Sequence, residues 1–241
     1  MAWMPVFIQL EGLHCLVVGG GRVAYRKASA LLEDGAQVTA ISPEFLPEWR
    51  ALADAHPHRV ALVAAPYSSR DVSAFALVFA AADEPEVNAL VAADARRDRV
   101  WVNVADAPDL CTAQAAAVLR RDPLRIAVHT GGACPALSAA LRAELEAAYP
   151  PWLGVYAAAL ARVRAELRVA CADARQREAV LAHLADAGTR ARFQGLKDAA
   201  LYGALRFRAG VAFWLIIAGV ALALSFGRGT IVYDAFYNLA P

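Results

Sequence analysis

The chain has little of what staples small folds or holds metals. Its four cysteines, Cys15, Cys111, Cys134 and Cys171, lie far apart and form no C-x-x-C pair. That spacing argues against a disulfide framework or a zinc site and fits reduced intracellular thiols. The five histidines give no H-E-x-x-H or comparable ligand spacing, and His56 and His58 flank a proline in what reads as a loop. No permanent metal site is expected. An excess of one charge is also missing. With 24 basic and 23 acidic residues the formal net charge is +1, too weak a field to recruit nucleic acid. The opening MAWMPVFIQLEG lacks the basic start and long apolar stretch of a signal peptide. What is abundant is apolar character, 59% of residues, which is high for a soluble protein even though much of it is alanine. A chain of 241 residues can bury a sizeable core as one large domain or two modest ones.

Short apolar runs alternate with helical patterns through the first 130 residues. HCLVVGG, QVTAIS, RVALVAAP, LVFAAA, VWVNVAD and RIAVHT are mostly Val, Ile, Leu or Ala and end in turn-forming residues. Unbroken apolar runs fit strands buried on both faces, as in a parallel sheet. Between them RVAYRKASALLEDG and EPEVNALVAADARRD carry apolar residues at helical spacing, the first ending in Gly35 as a C-cap. The expected fold class is α/β, with right-handed crossovers building a doubly wound parallel sheet. From Pro135 to about Phe207 the chain reads as helices only, broken at YPPW. Residues 209–226, AGVAFWLIIAGVALALSF, contain no charge. As a helix this run would extend about 27 Å, close to a hydrocarbon core of ~30 Å. It reads as a transmembrane or membrane-lying helix, with a buried helix in a dimer core as the other reading. Arg206 and Arg208 before it favour a cytoplasmic catalytic part.

CLVVGGGRVAYRKA contains the pattern G-x-G-x-x-A at Gly19, Gly21 and Ala24, between a strand and a helix. In that context Gly19 permits the tight turn, Gly21 lets backbone approach a diphosphate, and Ala24 allows close helix–sheet packing. The helix N-terminus offers free N–H groups and partial positive charge. At the end of the second strand, Ser42, Pro43 and Glu44 supply one acid for a ribose hydroxyl and no arginine for a 2′-phosphate. The expected cofactor is therefore NAD, although Glu44 also reads as a solvated loop acid. Ligands of such sheets lie beyond the C-terminal strand ends, where the sequence places Asp83, Glu84, Asn103, Asp106 and Thr130. Sending hydride to nicotinamide also releases a proton, which a carboxylate at the cleft edge can take. From spacing alone Asp106 reads equally as that base or as the residue opening the turn before Pro108.

The combination of GGG-x-V-A-x-R-K with AADEPEVN, VNVADAP and HTGGACPALS, in this order and spacing, resembles the precorrin-2 dehydrogenase family. This family includes sirohydrochlorin ferrochelatases and forms the N-terminal module of siroheme synthases. The resemblance covers about residues 4–150. It implies a Rossmann-like, NAD-binding domain over 1–112, a dimerisation segment over 113–150 and a cleft-closing helical region over 151–208. The apolar helix at 209–226 and a tail over 227–241 would follow. It further implies oxidation of precorrin-2 to sirohydrochlorin with NAD⁺, in some members insertion of Fe²⁺ to give siroheme, and a homodimer. The family's essential aspartate falls on Asp106, for proton removal and transient contact with Fe²⁺. Its nucleotide loop falls on Gly19, Gly20, Gly21, Arg22 and Val23, and Ala24, Ser42, Pro43, Glu44 and Asp83 complete the expected cofactor site. Its serine-rich turn falls on Thr130, Gly131 and Gly132.

The substrate carries eight carboxylates, so cationic donors are needed. Arg26 and Lys27, with Asn103, are the expected substrate contacts. Arg22, Arg120, Arg121, Arg125 and Arg142 are further cations, each also readable as a solvated charge. His129 reads more readily as structural than as an aid to metal insertion. Two features depart from the family pattern. The methyltransferase module is absent, which implies no S-adenosylmethionine chemistry, and the apolar run at 209–226 is additional. Two other functions fit part of the sequence. One is a membrane-tethered NAD-sensing module without chemistry, against which NVADAP and HTGGACP argue. The other is a chelatase with a vestigial dinucleotide loop, against which the intact glycine pattern argues.

Overall fold

In the computed structural model, residues 3–202 are described. The order is β1 (His14–Val18), α1 (Arg22–Glu33), β2 (Gln37–Ser42), α2 (Pro47–Ala55), β3 (Val60–Ala64), β4 (Leu77–Ala80), α3 (Pro85–Arg97) and β5 (Trp101–Val104), followed by β6 (Ala117–Arg121), β7 (Leu124–Val128), α4 (Pro135–Ala148), α5 (Trp152–Ala170), α6 (Ala174–Ala185) and α7 (Ala187–Tyr202). By packing the chain divides into two units, residues 1–117 with 128–140, and residues 118–127 with the chain from 141 onward. Segment 113–150 is therefore shared between the units.

In the first unit five strands form an all-parallel sheet in the order β3-β2-β1-β4-β5. The central strands show why their sequences are continuous apolar runs. Cys15–Val18 and all four residues of β4 are buried, because α1 and α2 cover one face and α3 the other. Leu16, Val18, Val78 and Val102 pack on one side with Val91, Ala92 and Ala95 of α3. Val17, Val38, Ala40 and Phe79 pack on the other with Ala24, Ala28 and Leu31 of α1. Helix α1 ends in a Schellman motif: Gly35 N–H donates to the Leu32 carbonyl and Ala36 N–H to that of Leu31.

One expected strand goes elsewhere. RIAVHT does not extend the parallel sheet; its first four residues belong to β7 (Leu124–Val128), which pairs with β6 in a separate two-stranded sheet. Only Asp122 and Pro123 separate β6 from β7, and two residues cannot carry a parallel crossover, which needs a dozen or more.

The second unit holds this hairpin and helical chain. Trp152, Leu153 and Tyr156 form its core, with Leu124, Tyr149, Leu160 and Phe193 against them. The Arg121 guanidinium donates to the carbonyls of Tyr149 (2.8 Å) and Glu146 (3.3 Å), satisfying orphan acceptors at the end of α4. Among the described residues no helix is long and apolar enough to cross a membrane. The run at 209–226, expected to be a membrane helix, and the tail at 227–241 lie outside the described residues.

Candidate functional site

The strand order reverses between β1 and β4, since β1 leads into α1 on one face and β4 into α3 on the other. The C-terminal ends of the strands open there into a cleft of about 530 Å³, a volume typical of small-molecule sites. Val18–Gly21, Ile41–Glu44, Pro66, Tyr67, Ala81–Glu84 and Val87 line it.

The glycine turn forms one wall, and each of its glycines has a different reason. Gly19 has φ +125°, and a Cβ there would stand 2.2 Å from the Ala81 carbonyl oxygen. Gly20 presses against the β2–α2 loop, where a Cβ would stand 1.9 Å from the Glu44 carbonyl oxygen and 2.8 Å from Ser42 Oγ. At Gly21 an added Cβ meets nothing within 4 Å. Gly21 caps α1, so the first N–H groups of the helix have no intrahelical partner. Three hydrogen bonds tie the turn to β2, α2 and the loop between them: Gly19 N–H to the Ile41 carbonyl (2.9 Å), and Leu46 N–H (3.1 Å) and Trp49 Nε1 (2.9 Å) to the Gly20 carbonyl.

The opposite wall is held from α3. Asn88, buried, accepts from Ala82 N–H (3.0 Å) and donates to the Ala82 carbonyl (2.8 Å), fixing the strand end that leads to Asp83 and Glu84. Tyr67 donates to Asp94 Oδ2 (2.8 Å). Asp94, almost fully buried, also accepts from Ser69 Oγ, Arg70 N–H and Arg97. Burial works against its charge, but these donors outweigh it and hold the carboxyl below its ordinary range. Burial, and then the bond to Asp94, pushes the Tyr67 phenol up. Tyr67 is thus a rigid, neutral part of the wall.

The donor set suits NAD. Free N–H groups at the start of α1 match a diphosphate, and Glu44, exposed on the cleft rim, matches a ribose hydroxyl. The lining contains the acids Glu44, Asp83 and Glu84 and no Lys or Arg, leaving nothing to neutralise a 2′-phosphate.

The cleft thus brings together Gly19, Gly20, Gly21, Ser42, Pro43, Glu44 and Asp83. Arg22 and Val23 are exposed on the first turn of α1, outside the lining, and Ala24 is fully buried against the sheet. Asp106 follows β5, also outside this cleft, exposed and left-handed at φ 56°. Its loop is pinned on both sides: Ala105 N–H donates to the Ala80 carbonyl (2.8 Å), and the buried Cys111 thiol accepts from Val104 N–H (3.1 Å). Asn103 spends its amide on the Ala113 carbonyl (3.1 Å) and the Cys111 sulfur (3.7 Å). Thr130 Oγ1 accepts from Cys134 N–H and donates to the Cys134 carbonyl, closing the Gly131–Gly132 turn, in which both glycines have positive φ. His129 Nδ1 accepts from Gly131 N–H (3.1 Å), and its Nε2 bonds Gln114 Oε1 (2.6 Å), so the ring orders that turn.

Among the cations, Arg26 is exposed. Lys27 is half-buried, its Nζ 5.2 Å from the centroid of the Phe79 ring, and burial and then the Arg26 charge lower its pKa. Arg125 pairs with Asp122 at 3.2 Å and Arg142 with Glu146, as Arg121 is spent on α4. Among the described residues no group of three or more His, Cys, Asp or Glu side chains is arranged to hold a metal ion.

Sequence reasoning missed Trp49, Asn88, Tyr67 and Asp94. Asn88 left a signal, a polar residue on the stripe that continues through Val91, Ala92 and Ala95. Trp49 left only a lone large ring in PEWRALADA.

Residues 6–117 match the family NAD_binding_7, described as "Putative NAD(P)-binding". The chain is 40% identical over 177 residues to siroheme synthase of Methylococcus capsulatus, covering 73% of this chain and 37% of that one. It is 41% identical over 177 residues to siroheme synthase of Pseudomonas putida W619, covering 73% and 38%. With siroheme synthase 2 of Serratia proteamaculans it shares 38% over 196 residues, 80% of this chain and 38% of that one. The chain thus spans well under half the length of these relatives. Among solved structures, one described as SirC, precorrin-2 dehydrogenase, superposes with a TM-score of 0.66 at 20% identity, covering 91% of this chain and 99% of that one. That likeness is one of fold.

Proposed function

We propose, from the premise that this chain belongs to the precorrin-2 dehydrogenase family that forms the N-terminal module of siroheme synthases, that it oxidises precorrin-2 to sirohydrochlorin with NAD⁺. The observation that carries the reading is the cleft at the strand-order reversal, with open space beyond Gly21 and an acid, Glu44, on its rim. Bound NAD⁺ supplies the hydride acceptor. The N–H groups opening α1 hold its diphosphate, Glu44 takes a ribose hydroxyl, and Asp83 borders the same cleft. The substrate loses one hydride and one proton. Asp106 takes the proton, from a loop whose neighbours on both sides are hydrogen-bonded in place. Lys27 and Arg26 meet substrate carboxylates, and the Thr130–Gly132 turn borders the substrate. Where Fe²⁺ is then inserted, it enters as substrate, and Asp106 receives the pyrrole protons it displaces.

The reading includes a homodimer, supported by the family resemblance. It also includes attachment of a cytoplasmic catalytic part to a membrane through residues 209–226, supported by that run's length and lack of charge. Light scattering and carbonate extraction of membranes test these two parts. The activity is tested by anaerobic absorbance of the full chain with precorrin-2 and NAD⁺, before and after Fe²⁺. The expected result is the sirohydrochlorin spectrum with stoichiometric NADH, and a further shift to siroheme on adding Fe²⁺ assigns the chelatase step. NAD⁺ binding without any turnover refutes the dehydrogenase and leaves an NAD-binding module.

A further inference from the structure

The Trp49 side chain is fully buried, yet its indole N–H reaches across to the glycine turn rather than into its own helix. A buried indole N–H requires an acceptor, and here the acceptor is the Gly20 carbonyl at 2.9 Å. The ring is fixed edge-on between Tyr25 of α1 (centroids 5.7 Å apart, 86°) and Phe45 (5.4 Å, 67°), so it cannot swing away without opening the core. Leu46 N–H, from the β2–α2 loop, donates to the same carbonyl at 3.1 Å.

The consequence follows from peptide planarity. The carbonyl of Gly20 and the N–H of Gly21 belong to one trans peptide unit and point in opposite directions. Holding the oxygen toward Trp49 therefore turns the Gly21 N–H the other way, at a residue that lines the cleft and has open space beyond its Cα. We infer that Trp49 is a positioning residue for the dinucleotide: by holding the Gly20 carbonyl it orients the Gly21 N–H toward the diphosphate. Because Trp49 and Leu46 follow Ser42–Glu44 on one segment, and Gly19 N–H is tied to Ile41, the diphosphate and ribose contacts are also held in mutual register. This inference rests on the NAD⁺-dependent reading above.

Trp49→Phe keeps an aromatic ring and removes the donor. Leu52→Ala, in the same helix and packed against the same cluster, serves as a control for loosened packing. Steady-state kinetics and melting are measured on the full chain. Loss of one buried hydrogen bond to a binding group is expected to raise KM for NAD⁺ about tenfold in Trp49→Phe, with kcat and the tetrapyrrole KM unchanged. Leu52→Ala is expected to lower Tm without moving KM for NAD⁺. A wild-type KM in Trp49→Phe, or an equal rise in Leu52→Ala, overturns the assignment. A measurement on the unmutated chain covers the case in which Trp49→Phe does not fold. The assigned indole ¹H–¹⁵N resonance of Trp49 is expected to shift on titration with NAD⁺, and an unmoved resonance at saturation overturns the assignment. If the wild-type chain binds no NAD⁺ at all, the functional reading falls first and this inference with it.

Discussion

Substituting alanine at Gly20 and at Gly21 separates two reasons for glycine that the motif itself does not distinguish. At Gly20 the new methyl would stand 1.9 Å from the Glu44 carbonyl oxygen, 2.9 Å from its carbon and 2.8 Å from Ser42 Oγ. The first two are backbone atoms, so relief requires the turn and the β2–α2 loop to part by about 1.5 Å to reach ordinary contact. That movement adds overpacking strain of roughly 1–3 kcal/mol. It also weakens the hydrogen bonds from Leu46 and Trp49 to Gly20, each worth about 1 kcal/mol net. A total near 3 kcal/mol lowers Tm by about 6–12 °C in a chain of this size. Gly21 is different. Its φ is −81° and the space beyond its Cα is open, so alanine fits the fold and costs only about 1 kcal/mol as a poorer N-cap. The methyl would nonetheless stand where the proposed function puts the diphosphate. Both variants are expected to lose NAD⁺ affinity in titration calorimetry, and only Gly20→Ala to show the large drop in melting temperature. A Gly20→Ala variant that melts with the wild type, or a Gly21→Ala variant with wild-type NAD⁺ affinity, would refute the reasoning.

Asp106→Asn is nearly isosteric, and asparagine also tolerates the left-handed backbone found there, φ 56°. The variant is expected to fold and bind NAD⁺ as the wild type does, but to lose about 100-fold or more in NADH formation with precorrin-2; unimpaired turnover would remove Asp106 from the mechanism. Asp98 governs an acid limb of stability. The Arg97 guanidinium and then Val72 N–H hold its carboxyl down to about 2, against 3.8 for the free side chain. A lowered folded pKa means the stabilisation is present above 3.8 and is lost as pH falls toward 2. Melting curves of Asp98→Asn across that interval are expected to depend less steeply on pH than those of the wild type, and an identical slope would contradict the assignment.

Much of the first unit was legible because its signals are local. Continuous apolar runs announce strands covered on both faces at the centre of the sheet, as the four buried residues of β4 confirm, whereas the edge strand β3, from the equally apolar RVALVAAP, buries only Val60. Gly35, read as a C-cap, ends α1 with the expected left-handed turn. RIAVHT shows where local reading fails: its composition suits a buried strand, yet its partner is chosen by the two-residue connection to β6, a run that alternates too weakly to attract notice. The candidate site divides in the same way. Gly19, Gly20 and Gly21 stand in a motif, and motif plus context placed them at a helix mouth. Trp49 acts on Gly20 and Asn88 on Ala82 from other helices, through hydrogen bonds to backbone groups that carry no mark of residue type, so no spacing rule picks them out.

By itself, then, the sequence determined the alternation of strand and helix, the glycine turn and the resemblance that proposes a substrate, all of which depend on residues close together in the chain. Tertiary structure alone decided which strand neighbours which, which of three adjacent glycines is pressed against another loop and which faces open space. It alone decided that Trp49, 29 positions from Gly20, aims the turn's peptide plane. Contacts between distant segments depend on how the sheet is ordered, and that order is set by the burial of whole faces rather than by any short stretch of sequence.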